Sequence, residues 1–290
     1  MSQVELIALY WTVSGPVDVH YGREWSTFDW RDRCAHAAGV GFSGLGLWHA
    51  DIRHQLASGR TLAQIKQIFD DAGLRHLEVE FLADFFAAPG TPERAASDEL
   101  RPLLLDAAAA FDAHHIKVGN IPGTPCELGR LTEEFAALCD EAAERTDARV
   151  AYEFMPFDVN VNTLDGALTV VTDAGRRNGG LAIDTWHMSK LGIAPDEMGR
   201  IPQEYLAWVE LSDGSLEDLA DPVDEVINHR NLPGEGEFDI PGYVDALRDA
   251  GYDQPWGVEV LSAELRRLPI EQEFQRAYET TAAQFRAGVA

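Results

Sequence analysis

Four acidic residues stand at the ends of apolar, strand-like segments in the second half of the chain. They are Glu153 in RVAYEF, Asp184 in GLAIDTWH, Glu210 in AWVELSDG and Glu259 in WGVEVLS. A buried carboxylate without a partner is costly, so an apolar strand seldom carries one unpaired. A shared cation would satisfy all four, and ligation by oxygen alone suits hard divalent ions such as Mg²⁺ or Mn²⁺. The pattern predicts a metal centre; for any one acid taken singly, a salt bridge to a basic neighbour is the alternative.

The acids need a fold that brings four strand ends together. Short β-rich segments alternate with amphipathic helical segments along the whole sequence, which is typical of parallel βα units. Eight strands are predicted, over residues 4–9, 44–48, 77–82, 116–119, 149–154, 181–184, 207–211 and 256–261. Eight parallel strands close a (β/α)₈ TIM barrel, and we expect residues 1–290 to form one such domain. The active site of a TIM barrel lies at the carboxyl ends of its strands, where all four acids fall.

Composition and net charge limit the classes of molecule that the protein is expected to bind. The formal net charge is −26, from 49 acidic and 23 basic residues, so the average field repels nucleic acid and anionic membranes. The three cysteines form no CxxC pair, and no apolar segment reaches the length of a membrane helix. We expect a cytoplasmic protein that binds neither nucleic acid nor membrane, with a homo-oligomer left open.

Three basic residues could also contribute to the site. His187 lies three residues beyond Asp184 and could add a nitrogen ligand or face the substrate. Lys117 could neutralise the acidic centre or hold an oxyanion, with pairing to an acid of the third strand as the alternative. Arg230 could clamp a substrate hydroxyl, carboxylate or phosphate, or it could brace its own loop by hydrogen bonds.

Aromatic residues and two long loops are expected around the mouth of the barrel. Trp11 and Trp48 follow the first and second strands and could stack against a sugar ring, although core packing explains them equally well. Residues 10–27 and 214–238 form the longest predicted loops on this face. We expect the second loop to cover the substrate.

The motifs in residues 149–262 resemble those of a known family. In order along the chain they are AYEF, LAIDTWH, VELSD, RNLPGEGEFD and GYDQPWGVEV. Together they resemble the xylose isomerase-like TIM barrel superfamily, which comprises sugar isomerases and epimerases, inosose and 3-dehydroshikimate dehydratases, and endonuclease IV. The order of elements is similar to that family along nearly the whole chain.

The resemblance implies a ligand set and two substrate contacts. The implied metal ligands are Glu153, Asp184, Glu210 and Glu259, with His187 and Arg230 binding substrate. One position departs from the family pattern, because Glu210 stands where the family usually has His or Gln. Four ionised carboxylates around a divalent ion would leave a charge of about −2. Either Glu210 is protonated, or a nearby cation compensates, or it is not a ligand.

The resemblance also implies a reaction. It predicts an isomerase or epimerase of a small ketose or cyclic keto-polyol, in which Mn²⁺ or Mg²⁺, or else Co²⁺ or Zn²⁺, polarises the carbonyl and an enediolate forms. Glu153 and Glu259 would remove and return the proton. A dehydratase of the inosose or 3-dehydroshikimate type is the runner-up, and a catalytically silent barrel that serves as a binding subunit is a further alternative. The strong negative charge and the few strand-end histidines argue against an endonuclease.

Overall fold

The eight strands close into one parallel barrel. The structure, a computed structural model, describes residues 4–17, 23–121 and 123–285. Each strand pairs in parallel with the next, and β1 closes the barrel by pairing with β8. The strands are β1 (Leu6–Ala8), β2 (Gly44–Trp48), β3 (His76–Ala83), β4 (His115–Gly119), β5 (Arg149–Glu153), β6 (Gly179–Asp184), β7 (Leu206–Leu211) and β8 (Trp256–Val258). The predicted TIM barrel is confirmed, and each predicted strand overlaps an observed one. The predicted span of residues 1–290 includes residues outside the described ranges.

Helices connect the strands and form the outer layer. They are α1 (Trp30–Val40), α2 (His49–Ala57), α3 (Leu62–Asp71), α4 (Pro92–Phe111), α5 (Leu128–Ala143), α6 (Leu164–Ala174), α7 (Thr185–Lys190), α8 (Pro222–Asn228), α9 (Ile240–Asp249) and α10 (Ile270–Gln284). Among the described residues, no helix is both long enough and apolar enough to cross a membrane.

Local sequence signals set several helix ends. The Thr61 hydroxyl accepts from the Gln64 N–H while the Gln64 side chain accepts from the Thr61 N–H, a reciprocal cap that begins α3. Helix α1 begins at the side-chain cap of Asp29 and ends at Gly41, whose φ of 113° is one that residues with a side chain rarely adopt. These ends fix where each helix returns the chain to the barrel.

Apolar residues pack in two separate places that matter for the site. The main core fills the space between strands and helices. A second apolar cluster lies at the carboxyl ends of the strands and comprises Tyr10, Trp11, Val17, Trp48, Phe81, Met155 and Leu261. The polar residues of the barrel interior therefore lie beneath an apolar upper layer.

Candidate active site

The four strand-end acids converge. Glu153 and Asp184 are the last residues of β5 and β6, Glu210 is next to last in β7, and Glu259 follows β8 directly. All four are buried, and one carboxylate oxygen from each lies within 4.8 Å of the others. Neighbouring strands supply these residues, so closure of the barrel is what brings them together. The convergence expected from the sequence is present.

His187 stands beside two of these acids. Helix α7 begins immediately after β6, because the Asp184 carboxylate accepts from the Trp186 N–H and caps the helix. This turn places the Nε2 of His187 3.2 Å from Glu153 Oε1 and 3.4 Å from Asp184 Oδ2. The three side chains form a second group with the spacing of metal ligands. The histidine can therefore join a ligand set or contact substrate.

Lys117 is surrounded by three carboxylates. Its Nζ atom in β4 lies 2.8 Å from Glu80 Oε2, 2.8 Å from Glu210 Oε1 and 2.5 Å from Glu259 Oε1. Burial acts to lower the pKa of Lys117, but the three carboxylates outweigh it and raise that pKa well above its ordinary value. Both roles considered from the sequence are combined, since the lysine pairs with an acid of the third strand and also neutralises the acidic centre.

Arg230 also binds within the site. Its Nη1 donates to Asp184 Oδ2 at 2.6 Å and lies 3.7 Å from Glu259 Oε2. Its Nε donates to the carbonyl of Val226, and its guanidinium stacks over the Trp186 ring at 4.9 Å. The arginine therefore links α8 to the acidic centre while it lines the cavity above.

The acids differ in protonation. Burial acts to raise the pKa of Glu153, but the neighbouring Lys117 and His187 outweigh it and lower that pKa to about 2. Burial, reinforced by Glu259, raises the pKa of Glu210 well above the ordinary value. Burial likewise raises the pKa of Glu80 to about 8. At neutral pH and without a metal, Glu153 is a carboxylate, whereas Glu210 and Glu80 hold protons most readily.

A cavity of about 490 Å³ opens above the acids. Asp184 and Glu210 lie beneath its floor, and the other predicted site residues line it: Trp11, Trp48, Lys117, Glu153, His187, Arg230 and Glu259. The two tryptophan rings meet edge to face with centroids 4.8 Å apart. Helix α8, within the long loop after β7, contributes one wall of the cavity, and the substrate-covering role of that loop stays a prediction.

Other depressions are larger, but the cluster of four buried carboxylates does not line them. One of about 760 Å³ lies outside the barrel against α1, α2 and α3. Another of about 790 Å³ adjoins the central cavity and shares Trp48, Phe81, Ile121 and Gly123 with it. We assign the site to the central cavity because the buried acids and their cations meet there.

A family match agrees with this geometry. The sequence profile of the xylose isomerase-like TIM barrel matches residues 34–283. The chain belongs to this family.

Curated family members that resemble the chain are enzymes. The 3-dehydroshikimate dehydratase of Pseudomonas aeruginosa is 28% identical over 241 residues, covering 80% of this chain and 36% of that protein. The inosose isomerase of Bacillus subtilis is 26% identical over 156 residues, covering 53% of this chain and 55% of that protein. The chain thus spans about a third of the length of the first relative and about half of the second.

Solved structures of family members share the fold. The IOLI protein, solved with a bound zinc atom, superposes with a TM-score of 0.79 at 16% identity and covers 97% of both chains. The D-allulose 3-epimerase of Methylomonas sp., solved with D-allulose, gives a TM-score of 0.72 at 18% identity, also with 97% of both chains. At these identities the likeness establishes the barrel.

In this protein, Glu210 has hydrogen-bond partners of its own at the position where the family usually has His or Gln. Lys117 and the indole N–H of Trp208 both donate to Glu210 Oε1, each at 2.8 Å. The other oxygen, Oε2, is buried and has no hydrogen-bond partner among the described residues. One oxygen is thus held by the protein, while the second remains available within the cluster of four acids.

The donor set fits a divalent cation. With all four acids ionised, the carboxylates together with the positive Lys117 and Arg230 carry a formal charge of −2, which one divalent ion would neutralise. Without a metal, the raised pKa of Glu210 favours its protonated form, and the pKa of the adjacent Glu80 is likewise raised, to about 8. The contact with Lys117 agrees with a compensating cation and the raised pKa agrees with protonation, so the ligand role of Glu210 stays a prediction.

Asp213 organises the loop that carries Arg230. Its carboxylate accepts four backbone N–H groups at 2.8–3.0 Å, from Gly214, Gly234, Gly236 and Phe238. A Cβ on Gly236 would lie 2.3 Å from Asp213 Oδ1, so this position of the PGEG turn requires glycine for space. Asp213 therefore holds the two ends of the loop after β7 together.

Glu80 and Trp208 are site residues that the sequence did not single out for roles at the centre. In HLEVEFLA of β3, Glu78 and Glu80 alternate with apolar residues, and both are buried. This period-two spacing was the available signal, since it places both acids on the face opposite the apolar residues. Trp208 gave no comparable signal, because an aromatic residue in a strand is usually core.

Proposed function

We propose that the protein is a divalent-metal-dependent isomerase or epimerase of a small ketose or cyclic keto-polyol. The observation that carries the proposal is the convergence of four strand-end carboxylates beneath a cavity that Glu153 and Glu259 both line. The ligands would be Glu153, Asp184, Glu210 and Glu259, holding Mn²⁺ or Mg²⁺, with Co²⁺ or Zn²⁺ as alternatives.

The bound cation would polarise the substrate carbonyl and acidify the adjacent C–H bond. Glu153 is ionised at neutral pH and can accept that proton. Glu259, held by Lys117, can return a proton to the same or the neighbouring carbon. Arg230 and His187, beside these glutamates in the lining of the cavity, would orient substrate hydroxyls. Which glutamate acts first is set by the pose of the substrate.

A dehydratase is the second candidate, favoured by the 28% identity with a 3-dehydroshikimate dehydratase over 80% of this chain. It would use the same proton abstraction. Loss of a β-hydroxyl would follow, and the carboxyl group that accepted the α-proton can pass it to the departing oxygen, so that water leaves. A silent binding subunit would need neither metal nor proton transfer.

Incubation in deuterated water separates these functions. The purified protein, supplied in turn with each of the four metals, is mixed with a panel of ketoses and inososes. Deuterium at an α-carbon without other change in composition supports the isomerase, and loss of water supports the dehydratase. Absence of both deuterium exchange and bound metal would favour the catalytically silent barrel that serves as a binding subunit.

A further inference from the structure

The cavity is divided sharply between a polar floor and apolar walls. The polar lining residues are Glu80, Lys117, Glu153, His187, Arg230 and Glu259, all from the floor just described. The walls are formed by Trp11, Trp48, Phe81, Ile121, Met155, Phe157, Pro222, Val223, Val226, Ile227 and Leu261. A hydroxyl bound against these walls would lose its hydrogen bonds to water without replacement.

Exposed apolar side chains lie on the same face of the barrel as the cavity. The large hydrophobic residues that the described structure leaves exposed are Ile121, Val159, Leu216, Leu219 and Val223, and all five lie on segments that follow β4, β5 or β7. Two of them, Ile121 and Val223, line the cavity. The cavity mouth therefore exposes apolar surface, which is typical of a binding site.

The basic side chains of the cavity lining are not available to bind an anionic substrate. Among its described lining residues, the lysine and arginine are Lys117 and Arg230, and both are already paired with buried carboxylates. The adjoining depression is lined, within the described ranges, by Glu24, Asp84 and Glu93 and by no lysine or arginine. A phosphate or carboxylate on the substrate would therefore find no unpaired lysine or arginine to bind among these described residues.

We propose that the substrate is uncharged and carries an apolar aryl or alkyl group beyond its α-hydroxy ketone. This inference rests on the proposed function for the orientation of the ketone end toward the acids. The apolar group lies between α8 and the loop after β5, against Phe157, Val223 and Val226. Within the ketose class, a substrate with an apolar far end fits these walls better than one hydroxylated along its whole length or one that carries an anionic group.

Four small α-hydroxy ketones test the proposal, because they differ only in one substituent. They are 2-hydroxyacetophenone (phenyl), hydroxyacetone (methyl), hydroxypyruvate (carboxylate) and dihydroxyacetone phosphate (phosphooxymethyl). Dissociation constants are measured by ligand-detected NMR titration of the full chain, with and without Mg²⁺. We expect the phenyl compound to bind at least about tenfold more tightly than the methyl compound, and both anions to bind more weakly than either. Equal affinity of the phenyl and methyl compounds, or tighter binding of an anion, would overturn the proposal.

Two exposed valines provide a matched pair of variants. Val223 is 53% exposed and lines the cavity, whereas Val159 is 60% exposed, lies on the same face and does not line it. We expect Val223→Ser to weaken binding of 2-hydroxyacetophenone about threefold or more and to leave hydroxyacetone unchanged. Val159→Ser should change neither. An equal effect of both variants would mean that the apolar group binds outside the cavity and would contradict the proposal.

Deuterium exchange on the same samples separates this inference from the proposed function. Preferential binding of the phenyl compound without α-proton exchange under any metal would support the substrate class and contradict the isomerase. Exchange on hydroxypyruvate or dihydroxyacetone phosphate, together with their tighter binding, would support the isomerase and overturn the substrate class.

Discussion

Each carboxylate of the site has a distinct electrostatic environment. Glu153 is ionised beside His187, whereas Glu210 shares one oxygen between Lys117 and Trp208 and has a raised pKa. A site of four equivalent acids would be strongly self-repelling. Lys117 and Arg230, which the acids share, and the further donors His187 and Trp208 allow the four acids to stand close together.

Neutralising either proposed base should abolish proton transfer. We expect Glu153→Gln and Glu259→Gln each to lower the rate of α-proton exchange by about 100-fold or more, because an amide cannot accept the proton. The rate is measured by NMR in deuterated water on the substrate that the panel identifies. Glu217→Gln, on the exposed part of the loop after β7, is the control. Full exchange in both glutamate variants would rule out these roles.

Removing Lys117 should destabilise the protein strongly. Lys117→Met leaves three buried carboxylates without their cation, and we expect the free energy of unfolding to fall by about 3–5 kcal/mol. Adding Glu210→Gln should restore part of this loss, because one of the charges is removed. Urea unfolding of the single and double variants gives the coupling energy, and strict additivity would contradict the pairing.

At the scale of elements, loops and helices support the strand ends. Asp213 gathers four backbone N–H groups and so fixes the turn behind Arg230, while Glu225 of α8 pairs with Lys190. Helix α8 is only one part of the long loop after β7, yet its position sets one wall of the cavity. The site therefore depends on contacts that lie outside the cavity itself.

Loss of the Asp213 carboxylate should loosen this loop. We expect Asp213→Ala to lower the free energy of unfolding by about 3 kcal/mol, because four backbone N–H groups, two of them in buried hydrogen bonds, lose their side-chain acceptor. Weaker ligand binding should accompany it, since Arg230 is carried by the same loop. Chemical denaturation and titration of 2-hydroxyacetophenone measure the two effects. Glu217→Ala is the control, and identical behaviour of the two variants would contradict the role of Asp213.

Helix α10 carries a buried acid that should make stability depend on pH. Glu273 is fully buried; one carboxyl oxygen accepts from the Gly15 N–H, and the other has no hydrogen-bond partner among the described residues. Burial raises its pKa to about 8, with the Gly15 bond and the charges of Arg33 and Arg266 acting against the rise. Because the folded pKa exceeds the ordinary value of 4.5, the carboxyl costs stability as pH rises from about 4.5 to 8.

Glu273→Gln should remove this cost. It keeps an acceptor for Gly15, so we expect the variant to be more stable than the parent by roughly 3 kcal/mol at pH 8, with the gain vanishing near pH 4.5. Thermal or urea unfolding across this range measures the difference. Glu271→Gln, an exposed position on the same helix, should show no such trend. A gain that does not depend on pH would contradict the raised pKa.

At the scale of the whole molecule, the barrel collects side chains from distant parts of the chain. Lys117 and Glu259 are 142 residues apart in sequence and share a hydrogen bond in the closed barrel. The negative charge of the chain surrounds this centre and favours divalent cations while it repels anionic ligands. The absence of a nucleic-acid partner, the cytoplasmic location and the homo-oligomer remain predictions.

Metal binding should stabilise the folded barrel. A divalent ion at one hundred times its dissociation constant should add about 2.7 kcal/mol, and a chelator should reverse the gain. Thermal unfolding with Mn²⁺ or Mg²⁺ at several concentrations, followed by chelation, measures this. The comparison variant is Asp184→Asn, which removes a charge from the proposed ligand set. An equal metal-induced shift in the variant and the parent would place the metal elsewhere.

The sequence by itself determined the barrel and the position of its acids. Alternating βα segments predict eight parallel strands, and a carboxylate at the end of four of them, Glu153, Asp184, Glu210 and Glu259, predicts one shared centre. These signals are local, because strand periodicity and helix spacing are read from neighbouring residues. They suffice to locate the site because a TIM barrel carries its active site at one end, where the carboxyl ends of the strands meet.

Only the tertiary structure decided how the charges are shared. Whether Lys117 reaches Glu80, Glu210 or Glu259 depends on the width of the closed barrel and on side-chain direction, and it reaches all three. The link from Arg230 to Asp184 and the apolar walls likewise depend on how loops fold over the strand ends. Sequence spacing carries no measure of such distances, because the contacts join residues that closure of the barrel alone makes neighbours.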